Sequence, residues 1–162
     1  EQKNYNQLIQ AFGNTVFTLD IVGDGTKKNE LKTLAEKENT KCNFLGNIEH
    51  NKLLEMYKDY KIFITTTLYE GNPKTILEAM ANGCLVIAPN IKNISEIIEN
   101  NINGILFDPN NENLHTLLKS TLNNPKKLIE ISNNSVAYIK QYFSFESAIN
   151  NEESDYIKSI ST

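Results

Sequence analysis

KIFITTTLYEGNPKTILEAMANGCLVIAP, residues 61–89, decides the fold. It opens on a β-branched run, Ile62–Thr66, and turns through a polar corner, Leu68–Pro73. Apolar residues at helical spacing follow, closed by Gly83, and a second β-branched run occupies Leu85–Ala88. Strand, helix and strand in that order form a βαβ unit, whose two strands lie parallel because the helix carries the chain back across the sheet.

The same alternation extends outward in both directions. Val16–Val22, Asn43–Leu45 and Ile105–Phe107 read as further strands. Leu31, Leu34 and Ala35 mark one helix, Leu53, Leu54 and Tyr57 a second, and Ile94, Ile97 and Ile98 a third. The expected fold class is therefore α/β, a parallel sheet with helices on both faces. After Pro109 the strands stop. Leu114, Leu117, Leu118 and Leu122 form one helical stripe, and Leu128, Ile131, Val136 and Ile139 continue it. Phe145 to Ile160 reads as a last, short-sided helix. The 162 residues suffice for one domain with a full core, 1–162, and no repeat or linker divides them.

Composition narrows the function. The net charge is −4, and the 16 basic residues are all lysine, which gives no basic face for nucleic acid. No apolar run approaches the roughly 20 residues that span a bilayer. Cys42 and Cys84 stand alone, without metal-like spacing, and read as buried reduced thiols of a cytoplasmic protein. The first residue is Glu1 rather than Met, so a piece of a longer protein is expected.

Ligands of open α/β sheets bind where strands hand over to helices at their carboxyl ends. Three loops qualify: Gly23–Thr26, Gly46–Glu49 and Leu68–Pro73. Gly23-Asp24-Gly25 begins like a dinucleotide fingerprint, but Lys28 occupies the third glycine position and no acidic residue ends the next strand, so a tight turn is the simpler reading. No P-loop, nucleophile elbow or Asp-x-Asp pair is present, and His50 and His115 have no second ligand nearby, so no metal site is expected.

The Leu68–Pro73 corner is richer. Pro73 suits the first turn of a helix, with Asn72 as its N-cap. The N–H groups of Lys74, Thr75 and Ile76 would then point out unpaired at the positive end of a helix dipole, an anion site of the kind that holds phosphate. Gly71 would let a ligand approach the backbone. Glu78, set in an otherwise apolar helix, needs a partner: either a salt bridge to Lys74, four residues back and in the poorer order, or a ribose diol beside the phosphates. Glu70 would face whatever lies beyond them.

Glu70-Gly-Asn-Pro-Lys-Thr-Ile-Leu-Glu78-Ala-Met-Ala resembles the E-x7-E motif of retaining glycosyltransferases of the GT-B fold, family 4 type. Val22-Gly-Asp-Gly, Phe44-Leu-Gly, Ile62–Thr66, Val86-Ile-Ala-Pro, Ile94-Ser-Glu-Ile-Ile and Asn103-Gly-Ile-Leu-Phe-Asp-Pro follow in that family's order and spacing. The resemblance implies a Rossmann-like domain, the carboxyl-terminal, donor-binding half of a two-domain enzyme. It assigns Glu70 to the donor sugar near the reacting carbon, as the catalytic residue, and Glu78 to the ribose hydroxyls. Gly71, Asn72 and Pro73 would line the sugar pocket, Lys74 and Thr75 would hold the diphosphate, and the Gly46–Ile48 loop would meet the base.

Three departures accompany it. Lys3 matches the lysine of the family's Arg-x4-Lys clamp, but the arginine and the family's first strand, which belongs near the middle of the sheet, would precede residue 1. Asn72 replaces the usual phenylalanine. The amino-terminal acceptor half is absent. The implied activity is metal-independent transfer of a sugar with retention from a nucleotide sugar, a UDP-sugar being expected, to a glycan or lipid-linked acceptor in polysaccharide biosynthesis. No other cofactor is implied, and membrane-surface association, at the inner face, would come only through absent parts. A sugar-nucleotide epimerase of the same fold and a non-catalytic nucleotide-binding module are the rival readings, and the fragment alone is expected to be inactive.

Overall fold

The computed structural model describes residues 2–110 and 113–143. Its elements are α1 (Tyr5–Ala11), β1 (Thr18–Val22), α2 (Lys28–Lys37), β2 (Lys41–Gly46), α3 (His50–Tyr57), β3 (Ile62–Ile64), α4 (Lys74–Ala81), β4 (Leu85–Pro89), α5 (Lys92–Ser95), β5 (Ile105–Phe107), α6 (Leu114–Leu122) and α7 (Pro125–Tyr142). The α/β alternation stands, with α1 as an element the periodicity reading did not include. The helix expected over Phe145 to Ile160 lies outside the described residues.

β4 is the spine. Every residue from Leu85 to Pro89 is buried. Successive side chains of a strand point to opposite faces, and here Leu85 and Ile87 join one apolar cluster while Val86 and Ala88 join the other. The first cluster takes Leu8 and Ile9 from α1, Leu31 and Ala35 from α2, and Leu114 and Leu118 from α6. The second takes Tyr57 from α3, Ile76, Ala79 and Met80 from α4, and Ile94 from α5. Helices thus cover both faces, which is why β4 reads as an unbroken apolar run rather than an alternating one.

All ladders are parallel, but the strands form two sheets, β1-β2 and β3-β4-β5. Among the described residues no strand lies between β1 and β3. An apolar cavity of about 960 Å³ separates them, lined by Leu19 and Ile21 on one side and Ile62 and Ile64 on the other. Asp20 of β1 bridges it by accepting a hydrogen bond from the Tyr60 hydroxyl at the foot of β3.

Four strands differ from expectation: β2 and β4 run longer, Lys41–Gly46 and Leu85–Pro89, while β1 and β3 are shorter. The first strand begins at Thr18, leaving Val16 80% exposed. β3 ends at Ile64; the Thr65 N–H still donates to Ile87 O of β4 at 3.1 Å, and Thr66, although β-branched, turns away from the strand. The buried hydroxyls explain this: Thr66 donates to the carbonyls of Lys3 and Asn4, and Thr67 reaches those of Gln2 and Tyr69. Cys42 is half-buried inside β2 rather than before it, and Cys84 is buried just before β4; both thiols are free, and burial pushes each up to about 11.

Candidate functional site

α4 places the first carboxylate. Ile76, Ala79 and Met80 are its buried residues, one stripe at helical spacing. Glu78 lies about 200° around the helix from Ile76 at 100° per residue, on the side away from the core. Its side chain stays only 21% exposed, because His50 at the start of α3 comes over it, Nε2 to Oε1 at 3.7 Å. The helix closes in a Schellman motif: Gly83 (φ +80°) donates to Met80 O and Cys84 to Ala79 O, so Gly83 is the expected C′ glycine.

The helix start differs from expectation. Pro73 is itself the cap residue and Asn72 makes no side-chain cap. The Lys74 N–H donates to Asn72 O at 2.9 Å and the Ile76 N–H to Pro73 O at 3.0 Å. A tightened first turn thus takes two of the three donors the sequence offered, and the Thr75 N–H alone has no acceptor among the described residues. Lys74 is exposed and makes no ion pair among the described residues, so the Lys74–Glu78 bridge is not formed and His50 stands in its place.

Glu70 is held by the amino-terminal strap. Lys3 Nζ lies 3.1 Å from its Oε2, and the Asn72 N–H approaches Oε1 at 3.4 Å. The Glu70 side chain is 15% exposed. The loop backbone around it is tied from two directions: the Gln2 amide donates to Tyr69 O at 2.9 Å, and the Asn93 amide donates to Glu70 O at 2.7 Å and Gly71 O at 3.2 Å. A Cβ on Gly71 would meet nothing closer than the Tyr69 hydroxyl at 3.7 Å, so the chain's own packing does not demand glycine there.

Four segments therefore converge on Glu70–Glu78: the strap with Lys3, the loop after β2, the α4 start and α5. Ile48 is half-buried in the β2–α3 loop, two residues before His50. Its neighbour Gly46 (φ +70°) accepts from the Gly23 N–H at 2.7 Å, which ties the first two carboxyl-end loops together. Lys3, Ile48, Glu70, Gly71, Asn72, Pro73, Lys74, Thr75 and Glu78 all belong to these segments, with Pro73 buried. His50 and Asn93 are the site residues that sequence reasoning missed. His115 is a structural residue: its Nδ1 meets Ala11 O at 2.8 Å and must be the donor, since a carbonyl only accepts.

Tyr57, beneath α4, is pushed up to about 12, first by burial and next by the negative charge of Glu78. Among the described residues no group of three acidic, histidine or cysteine side chains could hold a metal, and no helix is long and apolar enough to cross a membrane.

The profile of the family described as glycosyl transferases group 1 matches residues 1–137. A GtfA subunit of UDP-N-acetylglucosamine–peptide N-acetylglucosaminyltransferase from Streptococcus agalactiae is 32% identical over 91 residues, 56% of this chain and 18% of that protein. An uncharacterized glycosyltransferase of Haemophilus influenzae is 29% identical over 78% of this chain and 36% of its own length. The chain thus spans well under half of these relatives. Among solved structures, the Anabaena HepE protein in complex with UDP superposes with a TM-score of 0.84 at 22% identity, over 98% of this chain and 46% of that one. The carboxyl-terminal domain of the group 1 protein LpcC from Francisella tularensis superposes at 0.79 and 24% identity, over 89% of this chain and 81% of that one.

Proposed function

This chain belongs to the glycosyl transferases group 1 family, and we propose that it is the donor-binding half of a retaining, metal-independent glycosyltransferase. The observation that carries the proposal is the convergence of Glu70 and Glu78 with Lys3 and the α4 start at one sheet edge. Glu78 accepts hydrogen bonds from a ribose diol, displacing His50. The free Thr75 N–H, Lys74 and Lys3 meet the diphosphate, and the α4 dipole adds to their field. Gly71, Asn72 and Pro73 face the sugar, and the Gly46–Ile48 loop faces the base. The relative named for UDP-N-acetylglucosamine and the UDP-bound neighbour favour a UDP-sugar.

In the transfer step the bond between the anomeric carbon and the diphosphate breaks as the acceptor oxygen attacks from the same face, and the acceptor's hydroxyl proton passes to the departing diphosphate. Glu70 lies beside that carbon, and Lys3, released from Glu70 by the incoming diphosphate, stabilises the leaving charge as an oxyanion hole does. An oriented acceptor in a closed, dry cleft requires the other half of the enzyme.

The isolated chain should bind a nucleoside diphosphate without turning over its sugar. A water-exposed half site implies a Kd from high micromolar to millimolar, about −4 to −6 kcal/mol. Nuclear magnetic resonance titration with UDP, GDP and ADP checks this, with shifts expected at Glu78 and at the Lys74 and Thr75 amides. If none of the three moves those signals at millimolar concentration, the donor-site reading fails. Sugar transfer by the isolated chain at an ordinary enzymatic rate would refute the two-domain mechanism.

A further inference from the structure

We infer that Asn93 is a positioning residue for the donor sugar, acting through the backbone of Glu70 and Gly71. The inference rests on the donor-site reading above. Asn93 lies on α5, which is anchored by the fully buried Ile94. One side-chain amide sends its two N–H bonds to consecutive carbonyls of a loop 22 and 23 residues earlier, Glu70 O at 2.7 Å and Gly71 O at 3.2 Å. The orientation of that amide is forced, because the reverse would set its oxygen against two carbonyl oxygens. Two adjacent peptide planes are thereby fixed at the point where the Glu70 side chain leaves the loop.

The consequence is selective. The Glu70 carboxylate itself is engaged at Oε2 by Lys3 and at Oε1 by the Asn72 N–H. With its carbonyl and that of Gly71 held by Asn93, the carboxylate has one course out of the loop. Of the nucleotide contacts, those at the α4 start and Glu78 are supported by helix packing instead, and Lys3 meets the diphosphate from the amino-terminal strap, to which no Asn93 hydrogen bond runs. Loss of the Asn93 amide therefore acts on the sugar moiety and leaves the nucleotide moiety alone. A residue that merely stabilised the domain would weaken both alike.

The test compares the unaltered chain with Asn93→Ala and Asn93→Asp. Asparagine and aspartate have the same shape, but aspartate has no N–H and repels both carbonyls. Calorimetry or resonance titration is run with UDP, UDP-glucose and UDP-N-acetylglucosamine. Whichever UDP-sugar the unaltered chain binds more tightly should bind at least about fivefold more weakly to both variants, while UDP changes by less than about twofold. Relaxation of the ligand-free backbone amides at Glu70–Asn72 should show a loss of order in both variants. Equal weakening of UDP and UDP-sugar, or unchanged loop order, overturns the inference. If the unaltered chain binds none of the three ligands, the donor-site reading falls by that result, and the relaxation data still decide whether Asn93 positions the loop.

Discussion

Glu70 and Glu78 stand eight residues apart, and the protein holds them in opposite ways. Glu78 rides on a helix whose buried stripe, Ile76, Ala79 and Met80, fixes its direction. Among the described residues its carboxylate has one ionic contact, a loose approach from His50 at 3.7 Å. Glu70 has no regular element beneath it. Its loop is tied by Gln2, Lys3 and Asn93, each distant in sequence, and by Thr67 from the foot of the loop. One carboxylate is positioned by hydrophobic packing and the other by a polar net. The difference teaches that a carboxylate held by the core is hard to redirect, whereas one held by a polar net depends on contacts that can be altered one at a time; under the proposed function these are the ribose and sugar contacts respectively.

The largest expected effect attacks the packed side. Met80 is 0% exposed, and Met80→Ala leaves a cavity under α4 costing about 2–5 kcal/mol. Denaturant unfolding should show that loss, and the Glu78 backbone should lose order with it. A cost below about 1 kcal/mol would mean that α4 is not held by its buried stripe.

The polar side breaks more gently. Thr66→Val removes the hydroxyl that serves the Lys3 and Asn4 carbonyls inside a site 1% exposed. The Lys3 carbonyl then loses this donor and, among the described residues, the Asn4 carbonyl keeps only the Gln7 N–H, at a cost of about 1–3 kcal/mol. The disturbance should appear in the amide signals of the strap and of Tyr69–Gly71, and not in those of α4. If α4 moves as much as the loop, the two carboxylates are not independently held.

These two regions also differ in how far the sequence reveals them. Leu85–Ala88 could be read as a central strand because burial on both faces leaves no polar position to confuse it. Glu78 could be read because helical period is local. The corner around Glu70 was legible as a motif, but its mechanics were not. Asn93 reaches it, and His50 reaches Glu78, through tertiary packing, and nothing in a short window marks an asparagine or histidine that will do so. Thr66 misled the strand boundary for the same reason, since its β-branching is local and its bonding to Lys3 and Asn4 is not. The Asn72 cap failed because the first turn tightened onto Asn72 O and Pro73 O instead. The gap between β1 and β3 is a property of the whole sheet, invisible in any single strand.

Affinity supplies the next test. Glu78→Gln keeps the shape of the side chain and removes the charge from its bonds to ribose, each such bond being worth about 1.5–3 kcal/mol. Nucleoside diphosphate binding should weaken roughly tenfold, about 1.4 kcal/mol, with the fold intact. Unchanged affinity by calorimetry would return Glu78 to the role of a partner for His50.

The smallest effect is also the most local reading of the Glu78 charge. Tyr57 titrates near 12 because burial disfavours its phenolate and Glu78, second in size, repels it. An unfolded tyrosine titrates near 10. The folded state thus holds the phenolic proton more tightly, so Tyr57 contributes stability that is complete below about pH 10 and is lost as the pH rises towards 12. Glu78→Gln deletes the repulsion and leaves the burial. The Tyr57 transition, followed by ultraviolet absorbance against a Tyr57→Phe control, should move to lower pH by less than about one unit and remain above 10, since burial is the larger cause. The alkaline loss of stability should then span a narrower pH window. Lys3→Gln, which alters only the Glu70 side, should leave the Tyr57 transition where it is. A Tyr57 shift as large in Lys3→Gln as in Glu78→Gln would show that the two carboxylates share one electrostatic environment, and the division between packed helix and tethered loop would fail.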